Sequence, residues 1–260
     1  MNRRIFLATT AAAAVSGAET FSWPRGRRAA VSLSFDDARI SQIDTGLELF
    51  EQLGLKATFY VSPNAMEKRL TGWKKMVDAG HEIGNHSMTH PCTANYKFST
   101  PLEELSVKQM EAELDEATAV IQKSLGVKPV SFAYPCGQKF IGRGEQARSY
   151  IPLVAKRFTS GRGYLDEAAN APEVCDLAQL MGTGFDGITF AQMKAHLDRA
   201  VQDKRWVVFA GHEMGAPAQQ TTGVMALREL AAYLKDPANG FWVDTVGSVA
   251  GYLRRVRGVE

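Results

Sequence analysis

Short β-type runs alternate with helical stretches along most of the chain. That alternation limits the fold to a parallel sheet, rolled or open, with helices packed on it. Ala29–Phe35 (AAVSLSF) is a strand-like run ending in Asp36-Asp37. Ile43–Leu53 has helical spacing, with Leu47, Phe50 and Leu53 apolar, and Gly54 stops it. Lys56–Val61 reads as a second strand, Gly72–Ala79 as a short helix capped by Gly80, and His81–Gly84 as a short strand. Glu103–Leu125 is a long amphipathic helix stopped by Gly126, and Val130–Tyr134 is a strand ending at Pro135. Gln146–Arg157 and Phe190–Asp203 read as helices, and Trp206–Ala210 (WVVFA) is the most apolar strand. Val224–Leu234 and Val246–Val256 are closing helices, with Phe241–Val243 a strand between them. Polar residues fall just after four strands: Asp36-Asp37, His86 to His90, Pro135-Cys136 and His212. In β/α barrels chemistry gathers at the C-terminal ends of the strands, so these four groups are expected at one mouth.

The chain has 260 residues, enough for one α/β barrel with a sizeable core. Formal net charge is +2 and no basic block exceeds Arg25–Arg28, which argues against nucleic acid as a partner. Arg3-Arg4, followed by a short Ala-rich apolar run, reads as a twin-arginine export signal with cleavage after Ala18. The run is too short for a stable membrane span. Residues 1–18 are thus read as a leader, 19–28 as a linker, and 29–260 as one catalytic domain in an exported, periplasmic or extracellular protein. Three cysteines, Cys92, Cys136 and Cys175, permit one disulfide, and no C-x-x-C pair points to a cysteine-type zinc site.

Five histidines occur, and His86 and His90 are four apart in HSMTH. Four residues make about one helical turn, so two imidazoles can face one point there. His81-Glu82 with His86 misses the zincin spacing by one position. Two adjacent acids after a buried strand are costly unless paired or metal-bound. Asp36-Asp37 can therefore supply one ligand to a His-His-Asp set and one free carboxylate as general base. The alternative is a helix cap. His212, in GHEMG after the apolar strand, suits proton donation, since an unperturbed imidazole titrates near 6.5.

SFDD (Ser34–Asp37), HSMTH (His86–His90), YPCG (Tyr134–Gly137) and GHE (Gly211–Glu213) occur in that order. Together they resemble the ordered motifs of the polysaccharide deacetylase family, also called the NodB-homology or fourth carbohydrate esterase family. The resemblance implies a distorted, seven-stranded β/α barrel. It also implies metal-dependent removal of acetyl groups from N-acetylated or O-acetylated carbohydrate, with an N-acetylglucosamine-containing glycan as the expected partner. By position, Asp37, His86 and His90 are the implied metal ligands, with zinc the expected ion and cobalt or another divalent ion the alternative. Asp36 is the implied base, His212 the acid, and the backbone N–H of Cys136 the oxyanion donor.

The chain departs from that pattern in three places. Ala133 stands where the family carries an arginine that buttresses the catalytic aspartate; Arg143 or Arg162 is expected to replace it, Arg162 being favoured. The family's Asp-x-x-Asp-Trp motif is missing, leaving Asp176 or Asp186 to orient His212. His212-Glu213 replaces a His-Asp pair. These gaps admit a second reading, hydrolysis of another C–N bond such as a small cyclic amide, and a third, a non-catalytic carbohydrate-binding relative. A Cys92–Cys136 or Cys136–Cys175 bridge fits the sequence, as do buried free thiols. Trp73, Trp206 and Trp242 are candidates for stacking on sugar, although apolar neighbours assign Trp206 and Trp242 to the core.

Overall fold

The computed structural model describes residues 21–258, so the leader read at residues 1–18 lies outside the described residues. The strands are β1 (Ala29–Phe35), β2 (Thr58–Val61), β3 (Glu82–Asn85), β4 (Ser131–Ala133), β5 (Phe140–Ile141) and β6 (Arg148–Ser149). They continue with β7 (Ser160–Arg162), β8 (Thr183–Gly184), β9 (Trp206–Gly211), β10 (Glu213–Gly215), β11 (Thr221–Gly223) and β12 (Phe241–Val243). The main sheet is parallel along the path β7-β4-β3-β2-β1-β9-β8, and β12 branches onto β1. The path curls into a barrel of seven strands, as expected. Its gap between β7 and β8 is spanned by one residue: Leu180 exchanges backbone hydrogen bonds with Gly161 and Gly163, both at 2.7 Å.

Every residue of β1 is buried, because helices cover the sheet outside and side chains fill it inside. Phe35 packs against Phe50, Phe59 and Phe185 at 5.3–5.8 Å between ring centroids. The two β1 serines are buried but paired: Ser34 donates to the Phe209 carbonyl at 2.7 Å, and Ser32 accepts from Trp206 Nε1 at 3.0 Å.

The helices are α1 (Ile40–Asp44), α2 (Gly46–Leu53), α3 (Pro63–Met66), α4 (Leu70–Asp78), α5 (Val107–Leu125), α6 (Ile151–Arg157), α7 (Phe190–Gln202), α8 (Val224–Lys235) and α9 (Val246–Arg257). Capping boxes Ser106/Gln109 and Thr189/Gln192 start α5 and α7, and left-handed Gly54 and Gly126 end α2 and α5. Three helical expectations are corrected. Ile43–Leu53 breaks at Thr45 into α1 and α2. The α5 helix begins at Val107, where Ser106 caps it, and α6 begins at Ile151, after the β5–β6 hairpin.

Trp23 lies inside the segment read as a linker, yet it is buried with Ala30, Trp206, Val246 and Leu253. Its Nε1 donates to the Lys204 carbonyl at 2.8 Å, and its ring stacks on Tyr252. Trp73 and Trp206 are fully buried and so do not face a sugar; Trp242 packs against the same cluster as Trp23. Among the described residues no helix is long and apolar enough to cross a membrane. Trp23→Ala should destabilise the domain by about 3–5 kcal/mol through the cavity it leaves. Urea denaturation checks this; an unchanged midpoint would mean that the segment is a linker after all.

Candidate active site

Asp36 and Asp37 follow β1, His86 to His90 follow β3, Pro135–Gly137 follow β4, and His212 follows β9. The structure brings all four groups to one cleft of about 960 Å³, whose lining includes Asp36, Asp37, His86, His90, Cys136 and His212. The backbone turns sharply at the first three groups. Asp37, Ala38, Ser87, His90 and Cys136 all have positive φ, between 52° and 74°. Such left-handed conformations are uncommon for residues with a Cβ and cluster at functional sites.

HSMTH is a loop and not the helical turn expected from its spacing. Side chains hold it: Asn85 Oδ1 accepts the Ser87 N–H at 2.7 Å, and Ser87 Oγ accepts the His90 N–H at 3.0 Å. Asn85 is itself anchored, donating to the Leu114 carbonyl at 3.0 Å and to Thr118 at 2.9 Å on α5. The imidazoles converge by this local bonding.

Asp37 Oδ1 is 3.3 Å from His86 Nε2 and 3.3 Å from His90 Nε2. A tetrahedral centre with metal–ligand bonds of roughly 2.0–2.1 Å needs donor atoms roughly 3.3–3.4 Å apart. Both Asp37–histidine separations match that spacing, and the three donor atoms lie within 4.8 Å of one another, so the set could hold a divalent ion. The His86 tautomer agrees: Nδ1 lies 2.9 Å from the Ala133 carbonyl, so it carries the proton, and the Nε2 lone pair faces the site. Burial, with the neighbouring His86 charge, lowers the His90 pKa to about 4, keeping that ring neutral and able to ligate. Burial by itself would raise the Asp37 pKa. Without an ion, hydrogen bonding from a protonated His86 and the positive charge that His86, His90 and His212 carry when protonated outweigh it and hold the carboxyl well below the usual range. Arg39 also grips the other Asp37 oxygen at 2.8 Å.

Asp36 does not join this set. It pairs with Arg162, which reaches it from β7 and is fully buried. Arg162 donates a second bond to the Gly163 carbonyl at 2.6 Å, and its guanidinium lies 4.9 Å from the Tyr60 ring centre. Arg143 instead pairs with Glu104, 3.6 Å away, at an exposed position. His212 Nδ1 lies 2.6 Å from Asp186 Oδ2, and Asp186 Oδ1 accepts from Thr222 at 2.6 Å. Asp176 is occupied elsewhere, accepting the Ala178 N–H at 2.9 Å. Burial disfavours the His212 cation, but the Asp186 hydrogen bond and the nearby Asp36 and Asp37 charges prevail and raise its pKa.

Cys92 and Cys136 form a disulfide, with Cα atoms 6.0 Å apart, and Cys175 is free. Two further residues matter that the sequence did not single out. Gln42 is fully buried, and its amide donates to the Asp36 carbonyl at 2.6 Å and the His212 carbonyl at 2.9 Å. Tyr164 lines the cleft with its ring edge-on to His212, 5.2 Å between centroids. Neither sits in a recognisable motif. His81 is a core residue: Nδ1 accepts the Ala57 N–H at 3.1 Å, and burial lowers its pKa to about 4.

The polysaccharide deacetylase family model matches residues 24–148. A gellan lyase of a Bacillus species is 31% identical over 144 residues, covering 55% of this chain and 5% of that protein. The peptidoglycan-N-acetylmuramic acid deacetylase PdaC of Bacillus subtilis (strain 168) is 28% identical over 127 residues, 47% of this chain and 24% of PdaC. The chain thus spans between 5% and 26% of the curated relatives it matches. A solved structure from Mycobacterium smegmatis, assigned to the polysaccharide deacetylases, superposes with TM-score 0.69 at 17% identity, covering 91% of this chain and 94% of the other. That likeness shows the fold. Residues 24–148, which carry the first three of the four ordered motifs, thus match the polysaccharide deacetylase family.

Asp186→Asn should lower the His212 pKa in the metal-free protein, because a carboxylate that favours the imidazolium becomes a neutral amide. Imidazole resonances followed by NMR against pH check this; an unchanged His212 titration would show that Asp186 does not control it.

Proposed function

We propose that the protein is a metal-dependent hydrolase that removes acetyl groups from N-acetylated, or O-acetylated, carbohydrate. The observation that carries this reading is the pairing of a free donor triad, Asp37–His86–His90, with a separate buttressed carboxylate, Asp36, in one open cleft. A bound divalent ion, with zinc expected and cobalt or another ion an alternative, supplies a Lewis acid and lowers the pKa of a coordinated water.

The chain's own residues carry the proton traffic. Asp36 accepts the proton of the attacking water. Arg162 holds that carboxylate in place from β7, the strand beside Ala133, where the family's arginine is missing. The Cys136 N–H donates to the oxygen that becomes the oxyanion, and a preorganised donor of this kind is worth about 3–4 kcal/mol in the barrier. His212, held by Asp186 and favoured in its protonated form, delivers a proton to the leaving amine or alcohol.

The cleft's size and its exposed aromatic rim, Tyr96 and Phe98, favour a glycan over a small cyclic amide. An N-acetylglucosamine-containing glycan is the first substrate to test. Retention of both Asp36 and His212 beside the donor set favours catalysis over a binding role. The leader read at residues 1–18 supports export to the periplasm or beyond.

Purified protein should hold about one divalent ion per chain, and His86→Ala with His90→Ala should lose it. Equal metal content in both would remove the site. Asp36→Asn should keep the ion but lower acetate release from chitooligosaccharide, peptidoglycan or acetylated xylan by about 100-fold or more. Undiminished release would exclude Asp36 as the base.

A further inference from the structure

The disulfide touches the donor triad. His90 presents Nε2 to Asp37, and its other ring nitrogen, Nδ1, lies 3.7 Å from Cys92 Sγ. The donor atoms of His90, Cys92 and Cys136 all lie within 4.8 Å of one another. While the sulfurs are bonded to each other they offer no thiolate. We propose that the disulfide is a redox gate: when it is reduced, Cys92, Cys136 and His90 Nδ1 form a second, thiolate site for a soft divalent ion, which excludes an ion from the Asp37–His86–His90 set.

Tetrahedral zinc has bonds of about 2.3 Å to sulfur and about 2.0–2.1 Å to nitrogen, so its donors lie roughly 3.5–3.8 Å apart. The His90–Cys92 separation already meets that spacing. Two thiol sulfurs reach it by side-chain rotation, because their backbones are 6.0 Å apart and are held without the disulfide. Cys92 bonds Thr100 at 3.2 Å and Leu102 at 2.8 Å through its main chain. The Cys136 turn is closed by Gly137 N–H to the Tyr134 carbonyl at 2.8 Å. The Thr93 N–H bonds the Gln138 side chain at 2.7 Å, tying the two loops together independently of sulfur.

Exclusion follows from the imidazole. A neutral ring has one bare nitrogen. If Nδ1 binds an ion, Nε2 keeps the proton and cannot ligate, so the triad is reduced to two donors. Only one of the two sites holds an ion at a time. The chemistry balances: a dithiol reductant gives two electrons and two protons to the S–S bond and leaves as its own disulfide. Ion binding then releases the two thiol protons. In a reducing compartment the ion rests on sulfur; oxidation after export returns His90 to the triad.

The experiment uses the full chain in a Cys175→Ser background, which removes the third thiol. Cobalt-loaded protein is compared before and after treatment with a dithiol, with a thiol assay confirming that the bond is broken. Reduction should bring up a thiolate-to-cobalt charge-transfer absorbance at one ion per chain and lower acetate release at least tenfold, both reversed by reoxidation. Cys92→Ser should lack the band, and its activity should ignore the reductant. A reduced protein with two free thiols and no band overturns the proposal, as does a band of full strength in Cys92→Ser. The activity arm rests on the deacetylase reading and the cobalt arm does not. A band without acetate release in either redox state would sustain the thiolate site and reject the activity.

Discussion

The ion pair between Arg162 and Asp36 runs across the inside of the barrel. Arg162 sits on β7, at one end of the strand path, and Asp36 follows β1, four strands away. A fully buried guanidinium is tolerable only with a partner, and removing one member of such a pair costs about 3–5 kcal/mol. The contact can form only if the sheet is curled, so curvature and the candidate site support each other. Leu180, bridging the gap beside Arg162, places the same strand from the other side. Gln42 then ties Asp36 to His212 through their carbonyls, so the proposed base and acid share one frame.

Two of the cleft's polar groups were legible because each directly follows a strand whose apolar run is plain in the sequence. Asp36-Asp37 after AAVSLSF and His212 after WVVFAG needed no long-range information. Arg162 was legible only as a candidate, because SGR and TG are too short and glycine-rich for periodicity to mark β7 and β8 as strands. The break at Thr45 was hidden for a related reason: the apolar spacing runs through it, and Gly46 packs closely on Met214, 168 residues on. A Cβ at Gly46 would lie 2.8 Å from the Met214 sulfur.

HSMTH shows how a correct residue choice can rest on a wrong conformation. Helical spacing suggested that His86 and His90 share a face. The structure brings them together through two left-handed residues and the Asn85 and Ser87 side chains. Non-glycine residues with positive φ give no signature in composition or period. The disulfide is similar: the spacing of three cysteines left the pairing open, and only the fold sets Cys92 against Cys136.

Trp23 moves the edge of the domain ahead of its first strand. The side chain lies six residues before Ala29, yet it is locked into the core by the Lys204 carbonyl and the Tyr252 ring. The segment before β1 is therefore a clasp over the α9 side of the sheet, and any trimming that spares the domain has to stop short of this indole.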